Sequence, residues 1–168
     1  NALTRERNPA CDWVGHEGRA TRKYDGTAML IRGGIAFKRY DAKQGKTPPE
    51  GFVPAQPDAD PETGHWPGWL AINRERAEDR WAYLAFASSP GLPDGTYELC
   101  GPKVNGNPEE LKTHELIPHG GEVLEPPTEY DAMVEWLRAR DIEGIVWHHP
   151  DGRMAKIKKS DFGLPRKP

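Results

Sequence analysis

The chain is short of cysteine, of long apolar runs and of any large excess of one charge, and each shortage argues against a class of protein. Only two cysteines occur in 168 residues, Cys11 and Cys100. Neither belongs to a C-x-x-C pair, which argues against a disulfide framework or a structural zinc site and makes a reducing cytoplasm the expected location. No apolar run approaches the roughly 20 residues of a membrane-spanning helix, and the N-terminus lacks the basic-then-apolar pattern of a signal peptide. With 29% charged residues, a soluble chain with no membrane partner is expected, working as a monomer. The 23 basic and 26 acidic residues leave a net charge of −3, without the basic excess that nucleic-acid binding usually brings.

Distribution matters more than the sum. Basic residues gather at Arg19, Arg22 and Lys23, at Lys38, Arg39, Lys43 and Lys46, and at Arg153, Lys156, Lys158, Lys159, Arg166 and Lys167. Acidic residues fill the intervening segments, notably between Glu109 and Glu129. A basic groove is the expected outcome.

What is plentiful is proline and glycine, 17 and 18 residues respectively. Six of the prolines (48, 49, 54, 57, 61 and 67) fall in residues 41–68, which read as one long surface loop inside a single domain covering 1–168. Residues 1–20 read as an irregular lead-in, with Trp13 and Val14 tucked against the core. Alternating apolar residues predict strands at 27–31 and 35–40 joined by Gly33-Gly34, and further strands at 69–72, 95–100, 113–118, 141–147 and 153–159. Helices are predicted at 75–87, with Ala77, Trp81, Leu84 and Ala85 inward, and after Thr128, where Asp131 completes an approximate capping box. The predicted fold class is α+β, mostly antiparallel sheet flanked by a few helices.

Four short stretches occur in order: Lys23-Tyr24-Asp25-Gly26; Glu98-Leu99-Cys100-Gly101-Pro102-Lys103; Glu143-Gly144-Ile145-Val146; and Lys156-Ile157-Lys158-Lys159. Lys23 is expected at the mouth of the first hairpin. Lys156 and Lys158 alternate on a strand and so share a face, as binding a chain of phosphates requires. This ordered set resembles motifs I, III, IV and V of the covalent nucleotidyltransferases, the polynucleotide ligases and RNA capping enzymes, and most of all the RNA ligases.

The resemblance implies the nucleotidyltransferase fold, with a nucleotide pocket between sheets. It also implies an ATP-dependent ligase for RNA repair. Lys23 is the expected nucleophile toward the α-phosphate of ATP, forming lysyl-AMP; the adenylate then passes to an RNA 5′-phosphate, and a 3′-hydroxyl displaces AMP. Lys156 and Lys158 are expected at the phosphate. A lysine amine must shed its proton to attack, and neighbouring cations and a metal favour the neutral form. Arg22, Asp25, Lys38, Arg39, Glu98, Glu143 and Val146 are carried over as nucleotide-binding. Asp25, Glu98 and Glu143 are the expected water-mediated partners of Mg²⁺ or Mn²⁺.

Lys103 is within reach of a phosphate, and Leu116 or Ile117 falls where an apolar platform for the adenine is expected. The sequence departs from the pattern where Arg22 replaces a glutamate before the lysine and Ala28 an arginine; Lys38 or Arg39 can take over the contact of the latter. The chain ends about ten residues past Lys158, where many relatives append a further domain, and this favours a minimal RNA ligase. A DNA ligase, a GTP-dependent capping enzyme and an inactive RNA-binding module of the same fold remain alternatives. Asp161-Phe162-Gly163 mimics the metal-binding tripeptide of protein kinases, without that family's other loops. His148 and His149, adjacent on a strand, are expected to point to opposite faces.

Overall fold

The structure is a computed structural model and describes residues 3–43 and 45–168. Residues 1, 2 and 44, which belong to the expected lead-in and loop, lie outside the described residues. The chain is α+β with antiparallel sheets throughout, and it divides into two compact units, Asn1–Tyr24 with His119–Pro168, and Asp25–Pro118.

The first unit takes both ends of the chain. Its sheet has three antiparallel strands in the order β1 (Arg19–Lys23), β8 (Gly144–His148), β9 (Met154–Lys158). The lead-in is therefore more regular than expected. Pro9–Gly15 forms a 3-10 helix, capped by the Asn8 side chain accepting from Ala10 N at 3.0 Å, and Lys23 ends a strand rather than opening a hairpin. Hydrogen bonds from Arg22 N to Glu122 O (2.9 Å) and from Leu124 N to Ala20 O (3.0 Å) dress the outer edge of β1. Behind the sheet lies α2 (Tyr130–Arg138), whose Met133 and Leu137 pack with Ala20, Ile145 and Trp147. Trp13 and Val14 join that cluster, as their sequence context suggested.

The expected capping box at Thr128 does not form. The helix starts at Tyr130 with Glu129 as N-cap and no side-chain cap, and Asp131 instead pairs with Arg5. An acid in the first turn still suits the helix dipole. Lys159 has left the basic cluster for the interior. Only 2% exposed, it donates to Arg140 O and Arg166 O at 2.7 Å each, and a cation survives burial there because carbonyl dipoles replace its water.

The second unit is a six-stranded sheet in the order β4 (Val53–Pro54), β5 (Trp66–Ala71), β3 (Ile35–Ala42), β2 (Thr27–Arg32), β6 (Gly95–Cys100), β7 (Glu115–Pro118). The β2–β3 hairpin turns through Gly33 and Gly34 at φ 57° and 74°. Met29, Ile31, Ala36, Tyr97, Leu99 and Leu116 form one buried face, covered by α1 (Arg80–Ala87) through Ala82 and Ala85.

Two expectations shift here. Residues 41–68 are not all loop: β3 continues to Ala42, opposite Trp66 of β5, and β4 pairs onto β5. Proline hid the strand, yet Pro67 still accepts from Ala55 N at 2.9 Å. The inward face of α1 is Ala82, Ala85 and Phe86 rather than Ala77 and Leu84, because the α-helix begins at Arg80 after a 3-10 turn over Ala77–Asp79. Leu84 is consequently exposed, and Trp81 stacks on His114 with centroids 4.6 Å apart.

Candidate active site

In the first unit, register decides which side chains meet. Lys23 lies opposite Gly144, and Gly144 opposite Lys158, so these three form one row across the sheet. The next row on the same face is Thr21, Val146 and Lys156. Adjacent strands are about 4.8 Å apart, which sets Lys23 and Lys158 about 10 Å apart at the backbone, within convergence range for two long amines. Gly144 floors the gap. A Cβ there would stand 2.1 Å from Ile157 O and 2.8 Å from the Lys158 Cα, so only glycine lets β8 and β9 pair at this point.

Glu143 immediately precedes β8. Its carbonyl accepts from Lys159 N at 2.8 Å, which fixes the backbone, and its carboxylate forms an ion pair with Lys23 Nζ. The Lys23 and Glu143 side chains are 21% and 19% exposed, neither sealed nor solvated. Lys23 Nζ also donates to Tyr24 O at 3.3 Å. The unit thus brings together Lys23, Glu143, Val146, Lys156 and Lys158. It holds Arg22 apart: strand alternation turns that side chain to the other face of β1, over the Tyr24 ring (4.7 Å to the centroid) and toward Glu122 Oε2 (3.4 Å).

In the second unit, Asp25 and Gly26 lead into β2. Glu98 Oε1 accepts from Gly26 N at 3.1 Å, and Gly26 lies so close to β6 that a Cβ would stand 2.2 Å from Leu99 O. The glycine of the first motif is therefore demanded by packing. The loop that follows β6 braces the same dipeptide. Asn105 Nδ2 donates to Asp25 Oδ1 (2.9 Å) and Gly26 O (3.0 Å), and Glu109 Oε1 accepts from Asp25 N (2.9 Å). Asn105, Asn107 and Glu110 adopt φ of 48°, 60° and 54°. Three non-glycine residues in left-handed backbone within six positions mark a loop held in place by its contacts. The Asn-Gly-Asn-Pro run signals the turn, but nothing in it says where the amide reaches.

Glu98 shares a face with Ile117, its partner across β6 and β7, whereas Leu116 is buried in the core on the other face. Of the two candidate platform residues, Ile117 alone lies beside Glu98. Lys38 and Arg39 fall on opposite faces of β3, and acids hold both. Lys38 pairs with fully buried Asp79, which also accepts from Asn73 N at 2.9 Å; Arg39 grips Asp41 Oδ1 through two nitrogens at 3.1 and 2.9 Å. Lys103 is exposed, and its backbone N–H donates to His114 Nε2 at 3.2 Å.

The remaining motifs find structural work. Asp161 Oδ2 accepts from Lys158 N at 2.7 Å, capping the 3-10 helix Lys159–Phe162 that Gly163 ends at φ 67°. His148 and His149 do point apart. His148 Nε2 lies 2.9 Å from Thr21 Oγ1, while His149 packs edge-on to Trp13 and contacts Glu17 and Asp151. Burial first, then the charges of Arg19 and His119, hold His148 below the ordinary histidine range. His114 is lowered in the same way by burial and by Lys103.

The profile of the RNA ligase 1 family matches residues 84–167, a span that includes Glu98, Glu143, Lys156 and Lys158 and begins after Lys23. The chain is similar to RNA ligase 1 of Pongo abelii, 29% identical over 160 residues covering 71% of this chain and 49% of that protein. It is 31% identical to RNA ligase 1 of Danio rerio over 137 residues, 61% and 42% of the respective chains. RNA ligase 1 of Rattus norvegicus is 30% identical over 163 residues, 71% and 49% of the respective chains. The chain spans about half the length of these relatives or less.

Proposed function

Because the chain belongs to the RNA ligase 1 family, we propose that it is an ATP-dependent RNA ligase of nucleotidyltransferase fold with Lys23 as its nucleophile. The observation that supports this best is the Lys23–Glu143 ion pair at the head of a row that ends in Lys158. The Lys23 amine loses a proton, with the Glu143 carboxylate beside it as the acceptor at hand, and attacks the α-phosphorus of ATP. A P–N bond forms as the P–O bond to pyrophosphate breaks. An oxygen of an RNA 5′-phosphate then attacks the same phosphorus and releases the lysine. Finally an RNA 3′-hydroxyl attacks the activated 5′-phosphorus, closing a phosphodiester and expelling AMP. Lys156 and Lys158 face the negative charge that grows on phosphate oxygens in each step.

Among the described residues no three His, Cys, Asp or Glu side chains gather as a ready-made cation cage. Mg²⁺ or Mn²⁺ arriving with a nucleotide is commonly held by one or two carboxylates together with the phosphates. In the first unit the hard oxygens of Glu143 suit that role through water, and in the second unit, taken by itself, those of Asp25 and Glu98 do. An ion bound at either would neutralise phosphate charge. In the second unit, Ile117 beside Glu98 is the apolar surface we assign to the adenine.

Among the described residues no helix is long and apolar enough to cross a membrane, and no disulfide joins Cys11 and Cys100. We further propose the cytoplasm as its location and the monomer as its working form. The test is mass spectrometry after incubation with Mg²⁺ and either ATP or GTP. AMP is expected on the Lys23 peptide, acid-labile and missing from Lys23→Ala. An adduct with GTP instead, or none with either nucleotide, overturns the proposal.

A further inference from the structure

The sheet face that bears Lys23 continues beyond it. Two residues back along β1 stands Thr21, in the row with Val146 and Lys156, and two further back stands Arg19, directly opposite His148. At about 3.3 Å per residue, Arg19 lies about 13 Å from Lys23 along the strand. Arg19 is exposed, and its guanidinium donates to Gly120 O at 3.2 Å. Gly120 sits at φ 76°, where a Cβ would stand 3.2 Å from Arg19 Nη2 and 3.9 Å from His148 Nε2. The glycine thus keeps a niche open between the two basic side chains. His148 is half-buried and anchored to Thr21, itself 1% exposed.

The permanent charge at the niche is that of Arg19. Arg19 and His119 both press electrostatically on His148, and Lys156 is one row nearer to Lys23. The neighbouring acids are engaged away from it, Glu122 with Arg22 and Tyr24, Glu17 with His149. A guanidinium is a good donor to a phosphate oxygen, and a phosphate beside the partly dried imidazole favours the protonated ring.

We infer that Arg19 and His148 form a second phosphate subsite, holding a backbone phosphate of the RNA strand as it runs from Lys23 along this face. The inference rests on the ligase reading above. RNA, rather than ATP, fits the spacing: a triphosphate ends within a few bonds of the reacting phosphorus, whereas a polynucleotide presents further phosphates along the strand direction.

The test uses the full chain and a 5′-phosphorylated single-stranded RNA oligonucleotide, with affinity read by fluorescence anisotropy across a salt series. Arg19→Ala is expected to weaken RNA binding about tenfold and to reduce the slope of log K against log salt by about one. Arg19→Lys, which keeps the charge, restores the slope. His148→Gln weakens binding independently of any fault in the arginine variant. Unchanged RNA affinity and slope in Arg19→Ala overturn the subsite. An equal loss of ATP affinity assigns the niche to the triphosphate and overturns the RNA assignment. Failure of the Lys23 adduct in the unmodified protein is a separate result, which sinks the ligase reading without touching the RNA titration.

Discussion

At the scale of single residues, the proposed chemistry makes Lys23 irreplaceable even by another cation. Lys23→Arg keeps the ion pair with Glu143 but offers no amine that can give up its proton, so the AMP adduct should vanish in mass spectra while the thermal midpoint stays close to that of the parent. Asn105 acts through Asp25 and Gly26. Removing its amide in Asn105→Ala takes away two hydrogen bonds from that dipeptide and should cost about 1–2 kcal/mol in urea unfolding. In the proposed reaction adduct formation should slow as well, since Asp25 loses its brace.

The two lowered histidines give a pH dependence with a defined sign. Free in the unfolded chain, His114 and His148 take up protons near about 6.5, whereas in the folded chain they do so at lower pH. Between those limits the unfolded chain binds more protons, so stability falls as pH drops through that window. Thermal unfolding followed from pH 7.5 to 5.5 should show the decline, and His114→Asn/His148→Asn should flatten it.

At the scale of elements, Gly144→Ala should be far more damaging than its size suggests. The added methyl meets Ile157 O across the β8–β9 ladder, and separating the strands is expected to cost about 1–3 kcal/mol while shifting Lys158 out of the row. A lowered thermal midpoint together with a weakened adduct checks this. Lys38→Ala strips the ion-pair partner from fully buried Asp79 and should destabilise by about 3 kcal/mol, read from denaturant midpoints. That variant also tests whether Lys38 serves the nucleotide or the fold. β6, β8 and α2 were legible in the sequence because alternation or three-four spacing was strong there. Of β5 only the part from Trp69 on was, because Pro67 and Gly68 read as breakers, and β1 was not, because Arg-Ala-Thr-Arg-Lys has little apolar pattern and becomes a strand only through β8. Lys23, Glu143 and the alternating lysines could be named from motif order, but Thr21, Glu109 and His148 could not, since cross-strand register is invisible before the strands pair.

At the scale of the whole molecule, the second unit is one continuous stretch with its own apolar core, whereas the first closes only when distant segments meet. A fragment spanning 25–118 should therefore fold by itself, with a single cooperative transition in circular dichroism. A fragment spanning 1–118 should gain no further ordered sheet, since β1 lacks β8. The overall charge of −3 likewise conceals an uneven surface in which the face bearing Lys23, Lys156 and Lys158 is basic.

Lys23 is made before the glutamate that pairs with it and the amines beside it, which come from segments more than a hundred positions later. A growing chain on the ribosome thus carries the proposed nucleophile while more than a hundred further residues are added, without the groups that would arm it. In the proposed enzyme, a product terminated before Glu143 would be incapable of charging itself with nucleotide, and the ability to do so would switch on only as the β8–β9 hairpin emerges and docks against β1.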